Sequence, residues 1–78
     1  MKCLVRINTI DAVKRFVSIC TKYDFGIYLL NGDGIIDAKS IIAIFGLNLC
    51  KNIAFEAHCS EEEKIDLSND LKDFIVEV

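Results

Sequence analysis

The side chains in this sequence that could do chemistry are few: one histidine, His58, four cysteines, Cys3, Cys20, Cys50 and Cys59, and serines and carboxylates scattered along 78 residues. The cysteines form no C-x-x-C pair, and they read as reduced, buried thiols that behave as small hydrophobes. One juxtaposition tests that reading. If the strand ending near Ala57 pairs antiparallel with the strand that opens the chain, His58 and Cys59 come close to Cys3, which gathers ligands suited to zinc or redox chemistry. A closed zinc site needs four ligands and no fourth is evident, so the expectation is no metal and no cofactor. The run Asn31-Gly32-Asp33-Gly34 invites comparison with phosphate-cradling and calcium loops. It lacks the Gly-Lys-Ser/Thr of the first and the alternating oxygen ligands of the second, and reads as turn chemistry. No catalytic residue is expected.

Whatever these residues do, one small domain, residues 1–78, must position them, because a chain this short cannot divide its apolar side chains between two cores. Apolar residues make up 53% of the sequence and no tract is of low complexity, which predicts a folded chain. Proline is absent and there are four glycines, so connections should be short. The net charge of −3 is unevenly spread: residues 1–39 hold six Lys/Arg and four Asp, residues 40–78 three Lys and eight Asp/Glu. The basic residues are dispersed without aromatic interleaving, which argues against a nucleic-acid surface. The longest apolar runs, such as Ile41 to Phe45, fall well short of the roughly 20 residues a membrane-spanning helix needs. Met1 to Ile7 lacks the continuous apolar core of a secretory signal, so a cytoplasmic protein is expected.

Periodicity supplies the elements. Lys2 to Ile7 alternates as a strand, with Cys3, Val5 and Ile7 on one face. Asn8 suits a helix N-cap and Asp11 places a carboxylate in the first turn, so a helix should begin near Thr9 and pack through Ile10, Val13, Phe16, Val17 and Cys20. Phe25 to Leu30, the Asn-Gly-Asp-Gly turn, and Ile35 and Ile36 predict an antiparallel hairpin. Asp37 to Gly46 predicts a short helix that is too apolar for one buried face. Burying Ile41 and Ile44 pushes Ile42 and Phe45 outward, leaving an exposed patch that would serve a partner protein or a weak homodimer. Asn52 to Ala57 alternates as a strand with Ile53, Phe55 and Ala57 inward. Ser60 and Glu63 then form a capping box that opens a closing helix with the stripe Leu67, Leu71, Phe74 and Val78, whose acidic remainder reads as a solvated surface. The predicted fold class is α+β: a four-stranded antiparallel sheet with three helices on one face, in the order βαββαβα.

That order and the run Asp37-Ala38-Lys39-Ser40-Ile41-Ile42-Ala43-Ile44-Phe45-Gly46-Leu47-Asn48-Leu49 resemble the HPr family, the histidine-containing phosphocarriers of the bacterial sugar phosphotransferase system. The likeness covers nearly the whole chain and is most specific at Ala38-Lys39-Ser40, the apolar helix and Leu47-x-Leu49. It implies an HPr-like open-faced β-sandwich, a bacterial and cytoplasmic setting, and protein partners docking on the Asp37–Leu49 region through Lys39, Ile42 and Phe45. Ser40 falls on the family's regulatory serine, which a dedicated kinase phosphorylates in some bacteria; as a residue, it is equally a helix cap. The family's active centre is a His at the start of the first helix, followed by a small residue, Arg and Pro. Here Thr9 occupies the His position and Asp11 the Arg position. A phosphocarrier needs an imidazole acceptor and a cation, whereas a carboxylate beside a phosphoryl group repels it. The resemblance therefore implies a non-enzymatic, regulatory or docking relative of the phosphocarriers. His58 as a substitute acceptor would lie at the far end of the first strand, away from Thr9.

Overall fold

The computed structural model describes residues 1–77. The chain forms β1 (Lys2–Val5), α1 (Ile10–Cys20), β2 (Ile27–Asn31), β3 (Gly34–Asp37), α2 (Ile41–Phe45), β4 (Ile53–Ala57), α3 (Glu61–Asp70) and β5 (Ile75–Glu77). All strands join one antiparallel sheet in the order β3-β2-β4-β1-β5. Alternation along the strands sorts the side chains by face. Cys3 and Val5, Ile27 and Leu29, and Ile53, Phe55 and Ala57 are buried in a core that also takes Val13, Phe16 and Cys20 of α1, Ile44 of α2 and Leu67 of α3. The three helices therefore cover one face and leave the other open, which is the predicted open-faced arrangement. Phe16 is the hinge of this packing, meeting Phe55 edge-to-face at 6.2 Å and Phe74 at 5.5 Å between ring centroids.

The sheet has five strands rather than the four expected, because the closing helix ends earlier than its apolar stripe suggested. It stops at Asp70, and the chain turns so that Phe74 enters the core from outside the helix. Arg6 N–H then donates to Phe74 O at 2.8 Å and Ile75–Glu77 pairs with β1. Leu67 and Leu71 already anchor the helix, and the three residues of β5 satisfy backbone groups along an edge of β1 that would otherwise stay bare. Val78, expected at the end of the stripe, lies outside the described residues.

Three local expectations also shift. The cap of α1 is Thr9, not Asn8: its extended backbone lets Oγ1 accept the Ala12 N–H at 3.0 Å. Ile10, placed on the packing face by its spacing, is 62% exposed, since the first turn of α1 projects beyond the core that begins at Val13. The first strand ends at Val5, although Ile7 is still fully buried. The Ser60–Glu63 capping box forms as expected, with reciprocal bonds of 2.9 and 3.2 Å. The hairpin closes across Asn31 and Gly34, leaving Gly32-Asp33 as its loop. Among the described residues only Gly32 has positive φ, +59°, as in a turn with glycine at the first central position.

Candidate functional site

Two regions carry the sequence-predicted site residues: the start of α1 and the segment from β3 through α2. At the start of α1 the Thr9 hydroxyl is committed to capping. Asp11 is exposed in the first turn, where the helix dipole favours a carboxylate. Neither residue offers a nitrogen nucleophile.

The second region is built by stacked turns. Asp37 ends β3 and its carboxylate accepts the Lys39 N–H at 2.9 Å, while Asp37 O accepts the Ser40 N–H at 3.0 Å. These bonds swing the chain out of the sheet, bury Ala38, and deliver Ser40 as the N-cap of α2, its Oγ accepting the Ala43 N–H at 3.4 Å. With only five residues, α2 buries Ile44 and half-buries Ile41. Ile42 remains 83% exposed and Phe45 46% exposed. Lys39 faces a different task from the docking role the resemblance implied. Its Nζ donates to Tyr23 O at 2.6 Å and to Phe25 O at 3.0 Å, so the ammonium clamps the connection between α1 and β2.

His58 stands apart from both regions. Ala57 pairs with Met1 through bonds of 2.8 and 2.9 Å, so β1 and β4 are antiparallel and His58 lies at the opening end of β1. Thr9 follows the other end, beyond five residues of extended chain, a separation on the order of 16 Å. His58 Nε2 meets Glu56 Oε2 at 3.2 Å, its ring tilts over Tyr28 at 5.3 Å, and Glu56 also bridges to Lys2 at 3.5 Å. The hydrogen bond from His58, followed by the hydrogen bond and charge of Lys2, holds the Glu56 carboxyl below its usual range.

Tyr28 and Glu56 are on the open face, whereas Cys3 belongs to the core on the opposite side of the sheet. The antiparallel pairing expected to gather Cys3, His58 and Cys59 is present, yet the sheet itself separates the thiol from the imidazole. Among the described residues no group of three His, Cys, Asp or Glu side chains is placed to hold a metal ion. Burial pushes the Cys3 thiol up and the Cys20 thiol up to about 12, leaving both protonated and unreactive. Cys59 is half-buried and Cys50 is exposed, which corrects the expectation of four buried thiols.

Sequence reasoning missed the tie between the helix ends. Tyr23 Oη donates to Asp70 Oδ2 at 2.5 Å, with Lys22 Nζ at 3.4 Å from the same oxygen. Charge and aromaticity alone gave no signal for a contact across 47 residues.

No family model and no curated protein matches the chain. Among solved structures it is similar to the crystal structure of HPr-C-His from Thermoanaerobacter tengcongensis. The two share 20% sequence identity over 94% of this chain and 88% of that one, with a TM-score of 0.73. With the open sheet face, the three helices on the other side and the order of the first seven elements, that likeness shows that the chain has the HPr-like fold.

Proposed function

We propose that this chain is a phosphocarrier-related protein that no longer relays phosphoryl groups and works as a docking or regulatory module through α2. The observation that carries this reading is the exposure of Ile42 and Phe45 on a five-residue helix: two large apolar side chains are left in water although the core is within one turn. The start of α1 supports it from the other side, since Thr9 and Asp11 provide neither acceptor nor cation. Ser40 supplies the switch. A phosphate there would add nearly two negative charges beside the apolar pair and displace the capping bond to Ala43 N–H. Incubation with an HPr kinase and ATP followed by mass spectrometry tests it: phosphate located on Ser40 supports the switch, and an unmodified chain removes it. Ile42→Glu with Phe45→Glu should abolish binding of any HPr-type partner while leaving the circular dichroism spectrum unchanged.

A second reading keeps phosphoryl transfer and moves the acceptor to His58. What favours it is the Glu56 carboxylate, which accepts a hydrogen bond from Nε2–H, so that the neutral ring keeps its lone pair on Nδ1. Against it stands the same carboxylate, whose charge would repel an incoming phosphoryl group.

A further inference from the structure

The face of the sheet opposite the helices has an order of its own. Ile35, Leu30, Ala54 and Leu4 lie directly opposite one another across β3, β2, β4 and β1, in one unbroken cross-strand row. None belongs to the core, and Ile35 is 71% exposed. One pleat along, Asp37, Tyr28, Glu56 and Lys2 form a parallel polar row. A cavity of about 330 Å³ opens over Leu4, Leu30 and Ala54 of the apolar row and is bordered on its far side by Asn31, Asn48, Lys51 and Asn52. Arg6 reaches into this border and donates to Cys50 O at 2.8 Å.

The charges on this face are graded across the strands. The β1 end carries Lys2 and Arg6; the β3 end carries Asp37 and, at the hairpin tip, the exposed Asp33. A two-fold axis parallel to the strands, running between β2 and β4, sets β1 of one copy over β3 of another. It places Lys2 opposite Asp37 and Arg6 opposite Asp33, each twice. The same operation sets Leu4 over Ile35 and the small Ala54 over Leu30, while Glu56 meets the Tyr28 hydroxyl. Each of these residues of β1 to β4 thus meets one of complementary size or charge, as an isologous interface demands, with β5 left outside the contact. The result is a second sheet stacked at about 10 Å with aligned strands, closing the sandwich that a single chain leaves open.

From this we infer that the open face is a self-complementary surface whose occupant is a second copy of this chain. The inference is independent of the docking role of α2, which lies on the other side of the sheet. Four strands at about 4.8 Å by four residues at about 3.3 Å give a contact of roughly 19 × 13 Å, well under the ~800 Å² per partner of a standard interface. The dimer is therefore a weak, transient one.

Sedimentation equilibrium of the full chain from about 50 µM to about 2 mM should show a monomer–dimer equilibrium that weakens several-fold in roughly 0.5 M salt. Amide shifts on dilution should centre on Leu4, Leu30 and Ala54. Ala54→Arg should weaken association by about tenfold or more, since an arginine at the centre cannot face Leu30. Lys2→Glu with Arg6→Glu, and separately Asp33→Lys with Asp37→Lys, should each lose self-association, and mixing the two should restore a heterodimer. If a charge-reversed chain does not fold by circular dichroism, Ala54→Arg and the salt dependence decide. A chain monomeric at about 2 mM, a dimer indifferent to Ala54→Arg, or dilution shifts confined to Ile42 and Phe45 overturns the inference.

Discussion

Replacing Lys39 by methionine separates two roles that one side chain cannot share. Methionine keeps most of the apolar stem and removes the ammonium that donates to Tyr23 O and Phe25 O. A hydrogen bond to a charged group is worth about 1.5–3 kcal/mol, so two such bonds set an upper limit of roughly 6 kcal/mol. Both bonds are only part-buried, and water can reach the carbonyls once the ammonium is gone, so the net loss should be near ~2 kcal/mol. At about 1 kcal/mol per M for a small domain in urea, that lowers the unfolding midpoint by roughly 2 M. In a thermal melt it lowers Tm by about 8–16 °C. Urea titration followed by circular dichroism measures the loss, and hydrogen exchange localises it: amides between Thr21 and Gly26 should exchange faster. A midpoint moved by less than about 0.5 M would refute the clamp and return Lys39 to the docking surface, because exposed cations contribute little to stability.

Further outcomes follow from other contacts. The Tyr23 phenol is pushed up to about 12, by desolvation first and then by its hydrogen bond to Asp70. Because the folded pKa lies above the unfolded value of about 10, this contribution to stability is complete below pH ~10 and is lost as pH rises through about 12; Tyr23→Phe should flatten that decline in alkaline unfolding curves. In the native protein a thiol reagent should label Cys50 fast and Cys59 more slowly, while Cys3 and Cys20 should react only after denaturation; early labelling of Cys20 contradicts the buried, protonated thiol. Gly32→Ala should destabilise by about 1 kcal/mol, since nothing lies within 4 Å of the new methyl and the cost is the positive φ alone.

The first four strands, three helices and the open face were legible because each rests on local rules. Alternation marked β1 and β4, Gly32 marked the hairpin, and Ser60 with Glu63 marked α3. The outward turn of Ile42 and Phe45 could be read because five consecutive apolar residues exceed what one helix face can bury. What stayed hidden depends on contacts distant in sequence. Phe74 keeps helical spacing with Leu67 and Leu71, so nothing local reveals that β1 has a free edge for Ile75–Glu77 to fill. Lys39 looked like a docking cation because the carbonyls it holds, Tyr23 and Phe25, are 16 and 14 residues away. The expectation that pairing β1 with β4 would unite Cys3 and His58 had the register right and the face wrong. A sheet brings residues to the same end while directing them to opposite sides.

The proposed function turns on whether phosphate can be carried here without a histidine at the start of α1. Incubation of the full chain with enzyme I and labelled phosphoenolpyruvate measures it directly: no protein-bound label is expected, and acid-labile label recovered on His58 would contradict the proposed function.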